Sequence, residues 1–105
     1  METKQTKILK VENLINEYKS LNEITEMTRV SKEMQSELNS CSFKPTDMNY
    51  VTSEFKIISG NIESYEIGFQ NYKGEMNSVL QQHRSKAFDS IDNIIDLIKL
   101  STLPD

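Results

Sequence analysis

Apolar residues in the first part of the chain fall at Ile8, Val11, Leu14, Ile15, Tyr18, Leu21, Ile24, Met27, Val30, Met34 and Leu38, with Glu, Lys, Asn and Ser between them. Steps of three and four put such residues on one helical face. The pattern predicts an amphipathic helix near residues 6–40. A second stripe is more regular. Met48, Val51, Phe55, Ile58, Ile62, Tyr65, Phe69, Tyr72, Met76, Val79 and His83 alternate steps of three and four, which reads as a heptad seam over about five heptads. After His83 the register slips by one, and the seam resumes at Ala87, Ile91, Ile94 and Ile98. A slip of this kind is a stutter, which locally relaxes supercoiling.

Small polar residues and a proline gather between the stripes, from Asn39 to Asp47. Pro45 disfavours helix at Lys44, and Thr46 or Asp47 suits the N-cap of the second helix. The expected fold is all-α. It is a single domain over 1–105, an antiparallel two-helix hairpin with one helix near 6–40, a turn at 41–46 and a longer helix near 47–100. Gly60, Gly68 and Gly74 lie inside the second stripe but off its seam, and each costs about 1 kcal/mol against Ala in a helix interior. The second helix either runs through them as points where it can kink, or breaks at Gly60-Asn61. Unbroken, it would be about 75 Å long.

A hairpin of this size gains only a few kcal/mol from one core. Apolar residues also lie off the seam, among them Ile57, Ile67, Phe88, Ile95 and Leu97, and exposed apolar patches usually mark partner surfaces. A partner helix is therefore expected, from another protein or from a second copy. Phe55, Ile58, Ile62, Tyr65, Phe69, Tyr72, Met76, Ile91, Ile94 and Ile98 form the expected packing seam for it.

Charge and composition narrow the function classes. The net charge is −4 and the twelve Lys and Arg are spread along the chain, which argues against nucleic acid, since a phosphate backbone needs a basic patch. With 3 Gly and 2 Pro, turns should be few and elements long. The single Cys41 cannot form an internal disulfide. The start, METKQTKILKVENL, lacks the apolar core of a signal peptide, and no stretch approaches the ~18 apolar residues of a membrane span. The expected location is cytoplasmic, with any export by a route that needs no signal peptide.

No set of residues suggests a reaction. His83 stands alone on the seam, and a hairpin would hold Cys41 at the closed end, far from it. Asp89, Asp92 and Asp96 share one side of a helix, whereas a calcium loop needs alternating ligands and a glycine. No glycine loop cradles phosphate. No catalytic residue, metal, cofactor or small-molecule substrate is expected.

Phe88-Asp89-Ser90-Ile91-Asp92 departs from the stripe. At about 100° per residue, Phe88 sits roughly 80–100° from the seam, with Asp92 one turn beyond it. Phe88 either fills a wider core where the register slips, or forms with Asp92 an exposed recognition pair. In the second reading the chain resembles the WXG superfamily, small helical-hairpin proteins that are substrates or partners of type VII secretion systems. It is more similar to the branch that pairs with LXG toxins of Gram-positive bacteria, where the motif takes the form Phe-x-x-x-Asp. Phe88 and Asp92 match that motif in type, spacing and place. The Trp-x-Gly turn of ordinary WXG proteins is absent; Phe43 is the only aromatic there and no glycine follows it. The resemblance implies a non-enzymatic export chaperone. It would bind the helical N-terminal domain of an LXG toxin, with or without a second small helical protein, and offer Phe88 and Asp92 to the secretion machinery. The alternative is a homo-oligomeric coiled-coil protein with structural or regulatory work unrelated to secretion.

Overall fold

Thr3 opens the first helix with a reciprocal cap. Its hydroxyl accepts from the Thr6 amide at 3.2 Å while the Thr6 hydroxyl accepts from the Thr3 amide at 2.9 Å, which satisfies two amides that a helix start leaves free. The computed structural model describes residues 2–105 and holds four helices: α1 (Lys4–Ser20), α2 (Ile24–Asn39), α3 (Met48–Asn71) and α4 (Ser78–Lys99). The chain is all-α, but it is not a two-helix hairpin. Each of the two expected helices is divided in the middle and folds back on itself.

The first division lies at Leu21-Asn22-Glu23, and its cause is in the spacing. From Ile15 to Val30 every step is three, and a strict step of three drifts about 60° round an α-helix each time. In one straight helix Tyr18 and Met27 would face opposite sides. Leu21 instead adopts an extended conformation, with ψ 147°. The reversal lets both residues reach one core, where Tyr18 is 1% and Met27 0% exposed.

The second division, between Asn71 and Ser78, falls at Gly74 rather than at Gly60 or Gly68, through both of which α3 runs. The Gly74 amide donates to the Phe69 carbonyl at 2.8 Å and the Lys73 amide to the Gln70 carbonyl at 3.2 Å. This is a Schellman ending, with Lys73 at the left-handed position that glycine usually takes. Lys73 has φ 53° and Gly74 φ 77°. Asn77 then starts α4 by accepting from the Leu80 amide at 2.9 Å. The expected stutter disappears with this break. In α4 the buried row is Leu80, Ala87, Ile91, Ile94 and Ile98, one register set one residue away from Val79 and His83, with half-buried Arg84 at the position between Leu80 and Ala87.

Two substitutions test this turn. Lys73→Gly is expected to raise stability by up to about 1 kcal/mol, because the left-handed conformation costs a residue with a Cβ roughly 1–2 kcal/mol and glycine returns part of that in the unfolded chain. Gly74→Ala is expected to lower it by about 1–2 kcal/mol, since a Cβ there would also meet the Phe69 ring at 3.2 Å. Chemical denaturation of both variants reads the two signs.

The turn between the halves lies where the proline placed it. Residues 40–47 are non-helical and the Asp47 amide donates to the Lys44 carbonyl at 2.9 Å. Asp47 occupies the N-cap of α3 without a side-chain hydrogen bond.

Cross-contacts fix the directions. Lys7 meets Glu37, Gln35 meets Ser59, Asn61 meets Ser90 and Lys19 meets Asp92. Each neighbouring pair is therefore antiparallel, giving an up-down-up-down bundle. The principal extents are 43 × 25 × 16 Å, well short of the single long helix the seam implied. One core runs through the bundle. Val11, Ile15 and Tyr18 enter it from α1, and Met27, Val30, Met34 and Leu38 from α2. Val51, Ile58, Ile62 and Tyr65 enter from α3, and Leu80, Ile91, Ile94 and Ile98 from α4. Burying a side chain of this size contributes about 1.5–3 kcal/mol, which is why folding back serves the chain better than leaving two stripes half covered. The end of the chain crosses beneath the bundle. The Lys4 amide donates to the Pro104 carbonyl at 2.7 Å and the Thr102 amide to the Ser42 carbonyl at 2.9 Å.

Candidate functional site

Phe88 belongs to an aromatic cluster where α1, α3 and α4 meet. Its ring centroid is 6.3 Å from that of Tyr18 and 5.8 Å from that of Tyr65, and Tyr65 lies 6.1 Å from Phe69. All are edge-to-face, the arrangement that aligns a positive ring edge with a negative ring face. The outer side of Phe88 is covered by cations. The Arg84 guanidinium carbon is 4.9 Å from its centroid and Lys19 Nζ 5.6 Å. Lys19 Nζ also pairs with Asp92 at 2.8 Å. Arg84, Phe88 and Asp92 thus form one row on α4, each a turn apart. The row is cation, half-buried aromatic and acid, with the Asp92 side chain 56% exposed.

The cluster rests on a part-buried polar pair. The Tyr18 hydroxyl donates to Glu66 Oε2 at 2.8 Å, and the Thr28 hydroxyl donates to Glu66 Oε1 at 3.0 Å. Burial and the adjacent Glu66 charge push the Tyr18 phenol far above its ordinary value, so it stays protonated. Tyr65 is 3% exposed. Burial raises its pKa, and the Arg84 charge opposes the rise. Its hydroxyl has no hydrogen-bond partner among the described residues.

The residues of the expected partner seam divide into three groups. Ile58, Ile62, Tyr65, Ile91, Ile94 and Ile98 face the chain's own core, and Phe55 and Phe69 pack half-buried against it. Tyr72 and Met76 are exposed in the α3–α4 turn, at 40% and 46%.

Two features at the other end give no signal in the apolar pattern. Lys7 is 3% exposed, and its ammonium donates to Glu37 at 2.8 Å and Ser40 at 2.7 Å and lies 3.1 Å from Glu2. Burial alone would lower the Lys7 pKa, but the hydrogen bonds to Glu37 and Glu2 outweigh it and raise the value. Cys41 is half-buried nearby, and burial raises its thiol pKa. That is the opposite of an activated nucleophile. His83 sits beside Gly68 at the far end of the bundle. Among the described residues no group of three or more His, Cys, Asp or Glu could hold a metal ion, and no helix is long and apolar enough to cross a membrane.

No known protein family, curated protein or solved structure matches the chain.

Proposed function

We propose that this bundle is a non-enzymatic protein-binding factor, an export chaperone for an LXG toxin that binds the toxin's helical N-terminal domain and assists its recognition by a type VII secretion system. The observation that carries the binding part is where exposed apolar side chains fall. Met48, Tyr50, Ile57 and Ile67 of α3, with Tyr72 and Met76 in the α3–α4 turn, are 40–57% exposed. They make up six of the nine large exposed apolar residues among the described residues. Their concentration on α3 and the turn that follows it supports a partner surface there. Tyr50 and Ile57 are seven residues apart and share a face, the spacing that a partner helix reads. Recognition by the secretion machinery rests on the resemblance and on the exposed Asp92 carboxylate one turn from Phe88.

The test is co-expression with the N-terminal domain of an LXG toxin encoded beside this chain. A stable complex on size exclusion is expected, and Ile57→Asp should weaken it at least about tenfold, the cost of placing a charge in an apolar contact. Asp92→Asn should leave fold and complex intact and abolish export of the toxin. A tight homodimer that ignores the toxin domain would remove the binding reading. Normal export with Asp92→Asn would remove the targeting reading alone.

A further inference from the structure

The outward side of α3 carries no charge over about five turns. Tyr50, Ser53, Ile57, Gly60, Ser64 and Ile67 fall within a sector of about 100°, and all six are exposed. The nearest charges stand at its edges, Lys56 and Glu63 along one and Glu54 along the other. Gly60 is the glycine that the chain's own packing does not explain. Gly74 has a positive φ, and a Cβ at Gly68 would come within 3.3 Å of Leu80. A Cβ at Gly60 would meet nothing within 4 Å, although glycine costs stability in a helix interior. What glycine offers at such a point is close approach by another backbone.

The face is complementary to itself. Two copies of α3 can lie antiparallel about a two-fold midway between Ile58 and Ser59. Tyr50 is then level with Ile67 of the second copy, Ser53 with its Ser64, and Ile57 with the open space over its Gly60. The edge charges agree with this register. Lys56 and Glu63 are exposed and have no ion-pair partner among the described residues. An isologous contact keeps them on one edge, where Lys56 of each copy stands about 3 Å along the axis from Glu63 of the other. On the opposite edge the two Glu54 positions are about 13 Å apart along the axis. A parallel pair would instead set Lys56 beside Lys56 and Glu63 beside Glu63, which is repulsive.

We propose that a second copy of the chain covers this face when the chain is alone, as an antiparallel α3–α3 homodimer. A helix-on-helix contact about 25 Å long is at the small end of specific interfaces, so the dimer is exchangeable, with a Kd on the order of 10 µM. The toxin reading uses the same helix, and a toxin domain would displace the second copy. The dimer is measured without toxin, so the two readings fail separately.

Sedimentation equilibrium of the full chain at low salt, from about 1 µM to about 1 mM, is the test. A monomer–dimer equilibrium is expected, weakening as salt rises. Gly60→Gln should raise the melting temperature, because it replaces an exposed helix glycine, and still weaken the dimer at least about tenfold. Lys56→Glu and Glu63→Lys should each weaken it about tenfold, since each sets like charges together at two symmetric contacts. Mixed in equal amounts, these two variants should associate as well as the parent chain, because every edge contact again joins opposite charges. A parallel pair would show no weakening in either variant alone. A chain that stays monomeric at the highest concentration would overturn the proposal and leave the face to a different protein. So would a Gly60→Gln dimer as tight as the parent's, or a mixture no tighter than its two components.

Discussion

Tyr18→Ala is expected to lower stability by about 3–5 kcal/mol, the cost of deleting a buried aromatic ring. Tyr18 is 1% exposed and packs edge-on against Tyr65 at 6.5 Å and Phe88 at 6.3 Å. It also joins helices that are not neighbours round the bundle, because its hydroxyl on α1 reaches Glu66 on α3 at 2.8 Å. Domains of this size are stable by only about 5–15 kcal/mol, so the variant should sit near the edge of folding. Tyr18→Phe separates the two contributions. It keeps the ring and removes one hydrogen bond, for about 1–2 kcal/mol. Urea unfolding followed by circular dichroism measures both. If the two variants lost the same amount, the ring packing would contribute nothing and the aromatic cluster as described would be wrong.

Glu37→Ala is expected to cost about 1–3 kcal/mol, because it removes the shorter of the two carboxylate contacts of a buried ammonium. The group affected is the Lys7 ammonium, whose side chain is 4% exposed and which then keeps Glu2 at 3.1 Å and Ser40 at 2.7 Å. Replacing both Lys7 and Glu37 with apolar residues should recover most of the loss. The pair also predicts a pH dependence. Burial would raise the Glu37 carboxyl, but the hydrogen bonds from Lys10 and Lys7 outweigh it and hold it below the ordinary 4.5. Its stabilisation is therefore fully present above pH 4.5 and is lost as the pH falls through the lower folded value. For Lys7, raised above 10.5, the stabilisation is present below that pH and is lost only as the pH rises past the folded value. Between those limits the pair contributes fully. Acid titration of Glu37→Gln should show a shallower loss of stability below pH 4.5 than the parent chain. An unchanged acid limb would mean that the pair does not form.

All-helical character and the turn around Pro45 were legible in the sequence because local chemistry decides them. The two inner turns were harder, since an apolar stripe has the same period whether its helix meets a foreign partner or folds back on its own chain. Between Phe69 and Val79 the seam spacing continues through residues that are not helical, with Tyr72 and Met76 exposed at the turn. Periodicity alone cannot separate such a turn from a helix. Signs were nevertheless present. The steps of three from Ile15 to Val30 could not belong to one face, and Asn77 stands three residues before Leu80 as an N-cap should. Lys7 precedes Val11 by four residues on the inward row, a position where burial of its stem could have been expected. Its partners could not, because Glu37 and Ser40 are brought to it only by the reversal at Leu21–Glu23. Phe88 has both characters that its spacing left open. It closes the aromatic cluster, and it stands one turn from an exposed acid.

The hydrogen bond between the Lys4 amide and the Pro104 carbonyl at 2.7 Å makes this chain, in topology, a ring of four helices with a single cut. Neighbours in sequence are neighbours in space all the way round, including across the cut, so the place of the cut carries little of the fold. It does decide which end stays open. A tag or fused domain on either terminus emerges beside Lys7 and Glu37, and the opposite pole, with the α1–α2 and α3–α4 turns, remains unobstructed.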